Sequence, residues 1–120
     1  MIAGIGVDIL DLDHMRAVCQ KQPRIYKKIL TEKELEIYET RSEKRQLEFL
    51  AGRFAAKEAF SKAMGTGIGK TVTFQNVTIL NNERGQPFIS ESPFDGNVFI
   101  SISHSKKAAV AQVVLETRDK

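Results

Sequence analysis

A chain of 120 residues with 42% hydrophobic and 28% charged residues is long enough to close around a sizeable core and too apolar to stay disordered, so a single domain over residues 1–120 is expected. The formal net charge of +3 suits an anionic partner of any kind (nucleic acid, anionic lipid, a phosphorylated ligand or an acidic protein) and selects none. One cysteine, Cys19, excludes an internal disulfide. With no second thiol to share a metal, it reads as a spectator in a reducing cytosol.

The opening MIAGIGVDIL lacks a basic leader region and meets Asp8 too early for a secretory signal. No apolar run approaches the roughly 18 residues of a membrane span, so a soluble, cytoplasmic protein is expected. Within that stretch Ile5, Val7 and Ile9 alternate with Gly4, Gly6 and Asp8, which predicts a first strand. Its second face holds two glycines and an acid, where another backbone or a ligand can come close. Leu12 to Leu30 has helical spacing broken near Pro23, with Arg16, Lys21, Arg24, Lys27 and Lys28 as its cations. Thr31 to Glu34, TEKE, is a capping box that opens a short helix. Ser42 is placed to cap a long helix over Glu43–Met64, and Gly65 to end it.

Beyond GTGIG the period changes to two. TFQNVTIL, QPFIS, NVFISIS and AAVAQVVLE read as four strands, the first pair joined by the turn NNERG. A strand, then helices, then a run of strands predicts an α+β fold. His104 closes the alternation Val98, Ile100, Ile102; a lone histidine at a strand end is more often structural than catalytic, but its flanking hydroxyls in SISHS would suit a phosphate. Thr117 to Lys120, TRDK, reads as a loose tail.

The chemistry gathers on the long helix. At about 100° per residue, apolar side chains occupy every side from Leu47 onward, and Arg53, Lys57, Glu58 and Lys62 stand among them. Charges on an enclosed helix are unfavourable unless paired or ligated. One reading is an internal salt-bridge network, with Glu58 and Lys62 as an i, i+4 pair. The other makes Glu58 a cation ligand and the lysines and arginines phosphate binders, which calls for a second acid. Asp8, near the end of the first strand on its glycine face, is the candidate. Two carboxylates from different elements, with positions left for water and phosphate oxygens, are how Mg²⁺ is commonly held beside a phosphorylated substrate. Asp11 and Asp13 lack the order of an EF-hand and read as first-turn helix acids. Gly69-Lys70-Thr71 is not a P-loop, because Met64 stands where its first glycine belongs and the loop follows a helix.

GIGVDI at the start, FLAGRFAAKEAFSKAMGTGIG in the middle and ISISHS near the end together resemble the small bacterial holo-acyl-carrier-protein synthases, short 4'-phosphopantetheinyl transferases, over essentially the whole chain. The resemblance implies the fold of that family, a small antiparallel-type sheet packed with a long central helix, and a trimer with each active site between two subunits. It implies transfer of the phosphopantetheine arm of coenzyme A to a serine of apo-acyl carrier protein, releasing adenosine 3',5'-bisphosphate, in fatty acid biosynthesis. It carries Mg²⁺ onto Asp8 and Glu58, and puts Lys62 within reach of the pyrophosphate. Arg53 and His104 fall to the 3'-phosphate region, and Gly65, Gly85 and Pro87 to the nucleotide pocket. The charged surface of the long helix would be closed by coenzyme A and a neighbouring chain. Arg16, Lys21 and Arg24 would dock the acidic carrier, against the alternative of a solvated basic face; His14 stands where relatives often place an arginine.

Two rival classes remain at this point. A basic nucleic-acid-binding module is disfavoured by the absence of tryptophan, an aromatic content of 8% and no interleaving of basic with aromatic residues. A structural oligomer subunit with buried ion pairs predicts no response to Mg²⁺ or coenzyme A.

Overall fold

Glycines on one strand let a helix lie directly against it, and that contact positions everything below. The computed structural model describes residues 1–118, so the last two residues of the expected tail Thr117–Lys120 lie outside the described residues. In chain order the elements are β1 (Ile2–Asp11), α1 (Leu12–Lys21), α2 (Ile25–Ile29), α3 (Glu32–Glu39) and α4 (Glu43–Met64). They continue with β2 (Thr78–Asn81), β3 (Pro87–Glu91), β4 (Asn97–His104) and β5 (Ala108–Glu116). β5 runs between β1 and β4 in a three-stranded antiparallel sheet, and β2–β3 forms a separate hairpin that packs beside β4. The predicted α+β arrangement, a small antiparallel sheet packed with a long helix, is the one observed.

Local chemistry explains the helix ends. The Thr31 N–H donates to Glu34 Oε1 at 2.8 Å, one arm of the expected capping box. The Arg45 N–H donates to Ser42 Oγ at the start of α4, and Gly65 ends it in the left-handed region at φ 79°. There the N–H groups of Thr66 and Gly67 turn back onto the Ser61 carbonyl.

α4 crosses β1 on the glycine face. A Cβ placed on Gly4 or Gly6 would collide with the carbonyl oxygens of Ala63 and Ala59, so strand and helix meet backbone to backbone. Ala55, Ala56, Ala59, Phe60 and Ala63 then bury against Ala111, Val113 and Leu115 of β5, Val77 just before the hairpin and Ile79 within it. A second cluster, around Leu12, Met15, Ile29, Leu30, Leu50 and Ala51, seats the short helices against the first half of α4. Cys19 packs at its edge, where burial pushes the thiol pKa up, as a spectator requires.

The opposite face of the sheet is apolar and open. Ile5, Val7 and Ile9 are 58%, 56% and 69% exposed, and their cross-strand partners Val114, Gln112 and Val110 extend the same surface to Phe99 on β4.

One predicted strand is largely not a strand. TFQNVTIL pairs only from Thr78, because Thr73 and Asn76 capture each other's backbone: the Thr73 N–H donates to Asn76 Oδ1 at 2.9 Å and the Asn76 N–H to Thr73 Oγ1 at 3.1 Å. Short polar side chains that satisfy local N–H groups compete with ladder formation.

Candidate active site

Arg53, Lys57, Glu58 and Lys62 of α4 divide into three environments. Lys62 leaves the helix towards β1, donating to Asp8 Oδ1 at 2.9 Å and to the Val7 carbonyl at 3.1 Å. The expected Glu58–Lys62 pair along the helix does not form among the described residues, because Asp8 takes the ammonium instead. Glu58 lies half-buried beside this contact. Burial raises its pKa, the nearby Asp8 charge raises it further, and Lys62 opposes both. Both carboxylates lie near the Lys62 ammonium, where strand and helix are in contact. The Glu58 carboxylate and the second oxygen of Asp8 accept no hydrogen bond from the described residues. Two hard oxygen donors with spare lone pairs suit a divalent ion such as Mg²⁺, whose remaining positions water and phosphate oxygens would fill. No larger cluster of potential metal-binding side chains occurs among the described residues.

Lys57 faces the opposite way and sees no solvent. Its ammonium donates to Glu34 Oε1 at 2.6 Å, the Ile29 carbonyl at 2.6 Å and the Phe74 carbonyl at 2.8 Å, which uses all three N–H groups. Burial lowers its pKa, and Glu34 holds it up. Lys57 is therefore an internal ion pair and not a phosphate binder.

Arg53 sits in the third environment, 5% exposed, stacked on the Phe49 ring at 4.2 Å and bonded to Asn81 Oδ1 at 2.7 Å. Burial lowers its pKa to about 10, and its Nε is a buried donor without a partner among the described residues. Arg53, Gly85, Pro87 and His104 line a single cavity of about 230 Å³. Gly85 holds φ 82° at the hairpin turn, and its carbonyl accepts from Asn81 Nδ2 at 3.0 Å. His104, half-exposed, faces Glu48 at 3.9 Å. Asp8, Glu58, Lys62 and Gly65 are not among the walls of this cavity. Gly65 instead lies just past Lys62 at the end of α4. The predicted site residues thus fall into two groups on one chain.

The chain's own core already closes around Lys57 and Arg53. Of the surface expected to be closed by a ligand and a neighbouring chain, Lys57 and most of Arg53 are covered by the chain's own core, while Glu58 and Lys62 are left open.

A family profile for the 4'-phosphopantetheinyl transferase superfamily matches residues 4–115. The chain belongs to that superfamily. A holo-[acyl-carrier-protein] synthase of Enterococcus faecalis is 50% identical over 117 residues, covering 98% of this chain and 99% of that one. The namesake from Bacillus pumilus is 53% identical over 117 residues, 97% of each chain. Among solved structures, the Bacillus anthracis holo-(acyl-carrier-protein) synthase in complex with CoA (3',5'-ADP) superposes with a TM-score of 0.91 at 48% identity, covering 98% of this chain and 99% of that one. A Helicobacter pylori synthase in complex with coenzyme A does so with a TM-score of 0.81 at 28% identity, covering 93% and 99%.

Some of this transferase's candidate residues were absent from the sequence reading. Arg41 and Arg45 join Arg53 in the walls of the 230 Å³ cavity. Arg45, Glu48 and Gly52 fall on one face of α4, a signal available in the sequence, whereas Arg41 precedes the cap at Ser42. Asn81, which anchors Arg53, has no local signal, since its partner is 28 residues away. Of the docking candidates, Arg16 lines a separate groove of about 620 Å³ with Lys44 and Leu47, Lys21 ends α1, and Arg24 precedes α2. No helix among the described residues is long and apolar enough to cross a membrane.

Proposed function

We propose that this chain, as one transferase domain over residues 1–120, moves the 4'-phosphopantetheine group of coenzyme A onto a serine of apo-acyl carrier protein. The observation that carries this reading is the open Asp8–Glu58–Lys62 cluster, in which two carboxylates from separate elements meet beside an ammonium. The serine oxygen bonds to the pantetheine-side phosphorus, the bond to the adenylate phosphate breaks, and adenosine 3',5'-bisphosphate leaves. Asp8 and Glu58 would hold Mg²⁺, which supplies neutralisation of the charge that builds on the leaving phosphate. Lys62, half-exposed and one turn beyond Glu58, exchanges its contact with Asp8 for the pyrophosphate. The serine proton passes to a carboxylate of the pair or to water between them.

Arg53, with its unpartnered Nε, and His104 take the 3'-phosphate, and Gly85 and Pro87 let the nucleotide approach the turn closely. Gly65 does the same beside Lys62. That the two groups of residues do not share a cavity within one chain supports a reading in which a single coenzyme A spans two copies. The exposed Ile5, Val7, Ile9 and Phe99 supply an apolar face for such assembly, and we assign it to a homotrimer. Arg16, Lys21 and Arg24 present positive charge to the acidic carrier.

The test is to incubate the protein with apo-acyl carrier protein, coenzyme A and Mg²⁺ and weigh the carrier by mass spectrometry. A gain of one phosphopantetheine, lost with chelator, is expected; no gain from folded protein returns the cluster to a structural role. Light scattering reads the assembly, and a monomer at working concentration overturns the two-copy site.

A further inference from the structure

We infer that the buried Lys57–Glu34 pair is a positioning device for Glu58, fixing the rotation of α4 about its axis and so the direction of that carboxylate towards Asp8. The inference rests on the transferase reading above.

A typical surface helix has an apolar stripe, and burying the stripe sets how the helix is turned. α4 has none in its second half, where Leu50 to Ala63 is buried on almost every side. The glycine and alanine surfaces of β1 and α4 are smooth, so they fix the separation of the two elements far better than the angle. Directional bonds have to supply the angle. Lys57 reaches from α4 to the end of α2, to α3 and to the loop at Phe74, while Glu34 also accepts the N–H groups of Thr31 and, at 2.9 Å, of Ile79 at the start of the hairpin. One ion pair therefore ties α4 to four neighbouring segments from the side opposite Asp8.

Glu58 follows Lys57 directly, so the two move as one body. Side chains reach about 6 Å from a helix axis, and a rotation of about 20° would carry the carboxylate some 2 Å. A displacement of about 1 Å in a reacting group can lower rate by about a hundredfold. The same rotation would pull Lys57 out of all three of its hydrogen bonds. Stability alone gives little reason for the pair, since apolar replacements of buried ion pairs are often neutral or better.

The test is the double variant Lys57→Met/Glu34→Gln, which removes both charges while keeping volume and one amide acceptor for the backbone. Thermal melting, coenzyme A affinity by calorimetry in chelator, kcat, and Mn²⁺ binding by electron paramagnetic resonance in the presence of coenzyme A are read together. A folded variant is expected to keep coenzyme A affinity within about threefold, lose about tenfold or more in kcat, and bind Mn²⁺ more weakly. Unchanged kcat, unchanged Mn²⁺ binding, or a loss of coenzyme A affinity as large as the loss of kcat overturns the inference. If the double variant melts below the assay temperature, the same outcomes are read for it and for the unsubstituted protein at a lower temperature at which both are folded. Absence of transfer by the unsubstituted protein overturns the functional reading, and this inference with it.

Discussion

Lys57 and Lys62 lie on one helix, each bonded to a carboxylate, and they differ in what is left over. Lys57 is sealed, and every donor it has meets an acceptor. Lys62 is half-exposed with two acceptors for three donors, while Glu58 and the second oxygen of Asp8 stay free among the described residues. A saturated ion pair has nothing to offer a ligand and can only hold shape. An unsaturated one has vacant valences aimed at solvent, where a cation and phosphates would be accommodated. Counting unused donors and acceptors therefore separates the two more sharply than counting charges.

The strongest way to break this contrast is Asp8→Ala or Glu58→Ala. Either is expected to lower transfer by more than about a hundredfold while the melting temperature holds, and a variant of full activity would refute the site. Gly6→Ala attacks the contact that brings β1 to α4 without touching Lys57; the clash with the Ala59 carbonyl should destabilise the protein by about 1–3 kcal/mol in denaturant titration and reduce transfer in parallel. Arg53→Ala should raise KM for coenzyme A by about tenfold through loss of a charge-assisted contact, with little change for dephospho-coenzyme A. An equal effect on both substrates would detach Arg53 from the 3'-phosphate.

Smaller effects refine the picture. Arg24→Glu should raise KM for the carrier by a few-fold, about threefold, and the difference should shrink as salt is added. Finally, because the Glu58 pKa is raised, the folded state keeps a proton that the unfolded chain has already released. Stability from this group is thus greatest in acid, falls as pH rises from the ordinary carboxylate range to the raised value, and stays lower above it. In chelator Glu58→Gln should melt above the unsubstituted protein at neutral pH and converge with it below about pH 4. A variant that melts lower at neutral pH would show that the open cluster is structural after all.

Much of this was legible in the sequence. The caps at Thr31, Ser42 and Gly65, the glycine face of β1 and the enclosure of α4 all depend on local spacing, and the structure follows it. Asp8 lies against α4 and bonds Lys62, one turn beyond Glu58, on the glycine face that the alternation marked. What escaped was long-range pairing. Nothing near Lys57 announces Glu34, 23 residues earlier, and the i, i+4 rule for Glu58 and Lys62 failed because Asp8, 54 residues away in sequence, competed successfully. Residues 73–77 look extended by composition, but the mutual capture of Thr73 and Asn76 depends on geometry that composition does not encode.

β1 is read from two sides at once. Its even-numbered Gly4, Gly6 and Asp8 turn inward to the helix and the chemistry, while Ile5, Val7 and Ile9 turn outward to the face assigned to assembly. Since a strand alternates with a period of two, inserting or deleting one residue before Asp8 would exchange the two surfaces together, driving isoleucine into the helix and the acid onto the exposed apolar face. The first ten residues should therefore accept conservative changes of identity far more readily than any change of length.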